Sequence, residues 1–115
     1  MFNQTDDIDD TPMEKLETIN IIYLIQTCKC ITSNIYKIGR TCQTELQRFN
    51  GYTPGYRIKL IIKVNNCYTF ETEILKRFRS KFIHMKDIGR EFFSGSETEM
   101  ISEIMNLWNE SKKIC

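Results

Sequence analysis

At 115 residues the chain suffices for one hydrophobic core and is too short for two. Its apolar share of 41% and charged share of 27% are those of an ordinary globular domain. No apolar run approaches a membrane span, and the acidic N-terminus has nothing of a secretory signal, so the expected location is intracellular, in cytoplasm or nucleus.

The formal net charge of +1 conceals an asymmetry. Residues 1–17 carry six acids (Asp6, Asp7, Asp9, Asp10, Glu14, Glu17) against Lys15, a net of −5. Residues 29–90 carry 13 Lys/Arg against Glu45, Glu71, Glu73 and Asp87, a net of +9. A basic body with an acidic lead points to a polyanionic partner, which the lead would screen or compete with; a plain solvated basic surface is the bland alternative. Five cysteines (Cys28, Cys30, Cys42, Cys67, Cys115) form no regular framework, so reduced thiols are expected.

The predicted organisation is an acidic, disordered tail over 1–17 followed by one domain over 18–115. Ile21 to Ile25 is a β-branched apolar run, read as a buried strand. After a polar connection, Ile35 to Arg40 is a second strand, making a hairpin with a long loop. Thr41 is placed to cap a short helix reaching Phe49, which Asn50-Gly51 ends. Ile58 to Val64 is a third strand. A longer helix is predicted from about Tyr68 to Phe82, where apolar residues recur every four positions. The segment DIGREFF is a turn entering a short extended piece. Ser94 with Glu97, or Ser96 with Glu99, offers a capping box for a last helix whose apolar stripe is Ile101, Ile104, Met105 and Trp108. The expected architecture is α+β: a small mixed sheet of three to four strands flanked by three helices.

Periodicity singles out one acid. At roughly 100° per residue, Phe70, Ile74, Leu75, Phe78 and Phe82 fill an arc of about 140°. Glu71 falls inside that arc, while Glu73, Lys76, Arg77 and Arg79 fall outside it. A core-facing carboxylate must be paired, hydrogen-bonded or metal-bound, because leaving it bare costs several kcal/mol; a place near the helix start, favoured by the dipole, is the bland explanation. On the strands, Tyr23 shares a face with Ile21 and Ile25, and Lys37 shares one with Ile35, opposite Tyr36 and Ile38. Arg48 lies on the short helix away from Leu46 and Phe49. Cys28-x-Cys30 invites a zinc reading, but Cys42 belongs to the far end of the hairpin. His84 has no neighbouring nucleophile pattern and is read as a loop histidine.

Five segments together resemble the GIY-YIG nuclease superfamily, and more closely the branch of phages and large DNA viruses whose second signature reads KIGRT. Ile21-Ile22-Tyr23 stands where GIY would be, Lys37 to Thr41 reads KIGRT, and Arg48 follows nine residues after Gly39. Glu71 occupies the place of the family's helical glutamate, and Gly89 to Phe93 reads GREFF. The resemblance spans roughly residues 20–108 and implies a metal-dependent DNA endonuclease. In it Glu71 would hold Mg²⁺ or Mn²⁺, Arg48 would stabilise the phosphate, and Tyr23 would orient or activate water. Arg40, Lys76, Arg77 and Arg79 would hold the DNA backbone. Lys37 replaces the second signature tyrosine, as a base of lowered pKa or as a phosphate-contacting cation. Glu91 is a further candidate carboxylate, open between a place near the metal and a pair with Arg48 or Lys37. The alternative is a catalytically weak or inactive nucleic-acid-binding module that reuses the fold.

Overall fold

A computed structural model describes residues 19–42 and 55–113. Five strands and two helices lie within them: β1 (Ile21–Gln26), β2 (Ile35–Thr41), β3 (Arg57–Lys63), α1 (Cys67–Lys81), β4 (Ile83–His84), β5 (Phe92–Ser94) and α2 (Glu97–Lys113). The domain is α+β, with one sheet in the order β3-β1-β2-β5-β4. All described strand pairings are antiparallel.

The sheet is wider than the sequence suggests, because β4 and β5 are only two and three residues long and carry too little alternation to be read. They pair Ile83 with Ser94 and His84 with Phe93, and β5 in turn pairs with the first half of β2. His84, expected in a loop, therefore sits in a strand, its ring stacked 4.7 Å from that of Phe93. Thr41 does not open a helix: it ends β2, paired with Ile21. The rest of the predicted short helix, with Arg48, lies outside the described residues, as does the acidic segment 1–17.

Alternation along β1 and β2 divides the sheet into two faces. Ile22, Leu24, Tyr36 and Ile38 join Phe70, Ile74, Phe78, Phe93, Met100 and Ile104 in a core between sheet and helices. Edge-to-face rings at 4.9 Å (Phe78–Phe82) and 5.3 Å (Phe78–Phe93) lock α1 onto the β4–β5 end. Each such buried side chain contributes about 1.5–3 kcal/mol through loss of apolar surface. Tyr23 and Ile25 face the other way, packing with Tyr56.

Both helices start on side-chain caps. Asn66 accepts from the amides of Tyr68 and Thr69 at 3.0 and 3.2 Å, starting α1 one residue before the predicted point. Ser96, rather than Ser94, caps α2, its Oγ accepting from Glu99 N at 3.3 Å. The buried stripe of α2 is rotated from the predicted one. Met100, Glu103, Ile104 and Leu107 are buried, whereas Ile101 and Trp108 only flank the core. Glu103 tolerates that position because Lys81 and Arg77 reach it from α1 at 3.0 and 3.7 Å.

Candidate functional site

The register of the β1–β2 hairpin decides where the signature residues point. Tyr23 lies opposite Gly39 and Ile25 opposite Lys37, so Tyr23, Lys37 and Gly39 share the face away from the helices. Ile22 lies opposite Arg40, which puts Arg40 on the helix side with Tyr36 and Ile38. Gly39 is required for space rather than for a special backbone angle. A Cβ built there would fall 2.5 Å from both Cζ and Oη of Tyr23. The phenol thus crosses the second strand at its glycine, and Tyr23 is completely buried.

Across the strand from the phenol lies the glutamate that the periodicity picked out. Glu71 on α1 is 4% exposed. Arg40 Nη1 donates to its Oε1 at 2.8 Å. Its Oε2 is buried and meets no donor. Glu91 is the carboxyl that interacts with Glu71. It stands just before β5, and its backbone carbonyl accepts from Ile38 N at 3.0 Å. Burial, followed by the neighbouring Glu91 carboxyl, pushes the Glu71 carboxyl up to about 7, against the lowering pull of Arg40 and Arg90. Two ionised carboxylates have no proton to share, so the pair lacks one proton or one cation.

Glu91 also joins the two faces. Among the described strands β2 has no partner on its outer edge beyond Ile38, and Glu91 stands at that opening. Its Oε1 is 4.0 Å from Lys37 Nζ, which leaves the sheet on the Tyr23 side. The chain Arg40, Glu71, Glu91, Lys37 therefore wraps one strand edge, with the Tyr23 phenol lying over that strand at Gly39. Tyr23 and Glu71 themselves start from opposite faces of the sheet.

Arg40 is fixed from a second direction. Its guanidinium carbon lies 4.3 Å from the ring centroid of Tyr68, whose hydroxyl is 3.1 Å from Cys42 Sγ. Desolvation, reinforced by Cys42, pushes the Cys67 thiol up, which favours a neutral thiol at the helix start. Cys28 and Cys30 lie between β1 and β2, at the opposite end of β2 from Cys42. Among the described residues no three His, Cys, Asp or Glu side chains group to hold a metal; the Glu71–Glu91 pair offers two.

The other expected cations divide. Lys76 and Arg79 are exposed on α1. Arg77 is engaged between the helices, donating to Glu110 at 2.8 Å and to Glu73 at 3.3 Å, and its pKa is raised further by those carboxylates. Arg40 was expected on the DNA backbone; that its own strand parity aims it at α1 could have been read by extending the Tyr36, Ile38 alternation two residues. Tyr68 gave no periodic signal, since it lies in the first turn of its helix, outside the apolar arc.

A small antiparallel sheet with two carboxylates and an arginine gathered at an open strand edge defines an α+β domain built around an anionic site with cationic walls. The chain belongs to the T5orf172 domain family, whose model matches residues 20–109, a nuclease-related group associated with phages. No curated protein and no solved structure matches the chain. No helix among the described residues is long and apolar enough to cross a membrane.

Proposed function

We propose that the protein is a metal-dependent endonuclease that hydrolyses DNA phosphodiester bonds, with the site at the outer edge of β2. One observation carries this reading: the buried Glu71 carboxylate has one oxygen on Arg40 and the other without a donor, beside a second carboxyl. Mg²⁺ or Mn²⁺ suits that lack, because these ions take hard oxygen ligands from one or two carboxylates and leave other positions to water and phosphate. Bound there, the cation supplies polarisation of the phosphoryl oxygen and a more acidic water. Arg40 keeps donors beyond the one given to Glu71, and its side chain is 35% exposed, so it presents them to a phosphate oxygen. Arg48 joins it in the role that the resemblance implies. Lys37 holds Glu91 and adds positive charge on the Tyr23 side, and orienting the attacking water is the role that the resemblance implies for Tyr23. Lys76 and Arg79 extend the cationic surface along α1, a contribution that salt weakens.

The test is a plasmid-nicking assay on supercoiled and branched DNA with Mg²⁺, Mn²⁺ or EDTA, run beside Glu71→Ala. Cleavage is expected with metal, and a loss of about a hundredfold or more in the variant, the scale set by removing a preorganised charge-stabilising group. Cleavage that persists in EDTA or in Glu71→Ala overturns the reading. The second reading, a nucleic-acid-binding module without catalysis, is favoured by the complete burial of Tyr23 and by Lys37 in a tyrosine's place. It predicts salt-sensitive binding with no nicking under either metal.

A further inference from the structure

We infer that Tyr68 is a stacking platform for an unpaired nucleobase next to the phosphate held at Arg40, so that the site takes DNA whose strand is open at the cleavage point. The inference rests on the nuclease reading of the site and adds to it a substrate class. Tyr68 is 52% exposed, and it is the one aromatic among the exposed large apolar residues of the described chain. The others are isoleucines: Ile58 and Ile61 on β3, Ile83 on β4, and Ile88 in the turn before β5. A single exposed tyrosine is ordinary in itself. What sets this one apart is its position and its fixation. It precedes Glu71 by one helical turn, so both project from the same side of α1.

The ring is held at two points. The Arg40 guanidinium lies over it at 4.3 Å, and its hydroxyl meets the Cys42 thiol at 3.1 Å. The same Arg40 binds Glu71 at 2.8 Å, so ring, guanidinium and carboxylate form one continuous contact chain. A pinned aromatic loses little freedom when a base stacks on it, which is how flat side chains gain affinity for unpaired bases without reading sequence. A base stacked on Tyr68 would place its own backbone phosphate within reach of the donors that Arg40 does not give to Glu71. A base inside a continuous duplex cannot lie flat on that ring without leaving its stack, so open strands are favoured.

The experiment separates base from backbone. A DNA duplex bearing a single-stranded oligo-dA extension is compared with one whose extension has the same phosphates but abasic residues. Both are titrated by fluorescence anisotropy in EDTA with wild type, Tyr68→Ala and Tyr68→Phe. Wild type should bind the dA extension about 5- to 150-fold more tightly than the abasic one, the range set by a single base–aromatic stack. Tyr68→Phe should keep that preference and Tyr68→Ala should lose it. Any general effect of Tyr68→Ala on Arg40 falls on both DNAs and cancels in the ratio, and unchanged melting temperatures confirm folding. An equal preference in wild type and Tyr68→Ala overturns the platform while leaving the nuclease reading intact. No salt-sensitive binding of either DNA by wild type overturns both.

Discussion

Two buried glutamates, one on each helix, receive opposite treatment. Glu103 on α2 faces the seam between the helices, where Lys81 lies 3.0 Å from one oxygen and Arg77 lies 3.7 Å from the other. Glu71 on α1 faces the edge of β2, where a single arginine answers one oxygen, the other meets no donor, and a second carboxyl interacts with the group. At the seam each carboxylate oxygen has a cation within 4 Å; at the strand edge one oxygen meets no donor. A buried carboxylate needs compensation of several kcal/mol, so the first arrangement holds the fold together and the second is open to an incoming cation or proton. Burial alone therefore does not mark a site. The unanswered oxygen does.

Substitution should separate the two glutamates by what is lost. Glu71→Gln should lower metal-dependent cleavage about a hundredfold or more while leaving the melting temperature unchanged or higher, because it keeps the Arg40 contact and removes the repulsion with Glu91. Glu103→Ala should do the reverse. It removes one of three carboxylate partners of Arg77 and the partner of the exposed Lys81, and opens a partly buried gap, costing about 1 kcal/mol in denaturant unfolding, with nicking per folded molecule retained. If Glu103→Ala abolished nicking in a folded protein, or Glu71→Gln lost as much stability as Glu103→Ala, the contrast would collapse.

Much of this contrast was legible in the sequence, for reasons that differ by element. Four-residue periodicity gave α1 and put Glu71 inside its apolar arc, because a helix of 15 residues fixes its own face. Two-residue alternation put Tyr23 on one face with Ile25 and separated Lys37 from Tyr36; which face meets the helices is set by the packing. Glu91 stood out only through GREFF, and its partners depend on β5, a three-residue strand whose position is set by pairing with β2 rather than by its own pattern. The α2 stripe misled because a glutamate at an apolar position is stabilised by charges from another helix, which no local pattern records. The Arg40–Tyr68 stack brings together residues 28 positions apart and likewise had no local signature.

The hairpin supplies a third test, of smaller size. Gly39→Ala places a methyl group against the Tyr23 phenol, and Tyr23 is too enclosed to swing clear. Overpacking of this kind should cost about 1–2 kcal/mol of stability, and nicking should fall with it if the phenol orients water. A second change, Tyr23→Phe in the Gly39→Ala background, removes only the hydroxyl oxygen that lies 2.5 Å from the new methyl and should recover part of the stability. Recovery of stability without recovery of nicking would assign the hydroxyl to the reaction and the ring to packing.

The smallest expected effect is the response to pH. The Glu71 carboxyl titrates at about 7 in the folded protein, above its ordinary value of 4.5, because burial and Glu91 disfavour its charge. Between those two values the folded state holds a proton that the unfolded chain has released, so stability falls as pH rises through this window and levels off above it. The change should be about 1 kcal/mol, below what the full shift implies, because solvent reaches Glu91 and Arg40. Glu71→Gln should flatten that segment of the stability curve, whereas Glu103→Gln should leave its slope in place. A bound divalent cation displaces the same proton, so saturating Mg²⁺ should raise the wild-type melting temperature more at pH 8 than at pH 6. The same rise in Glu71→Gln would detach the cation from this carboxylate and return the pH response to a shared proton alone.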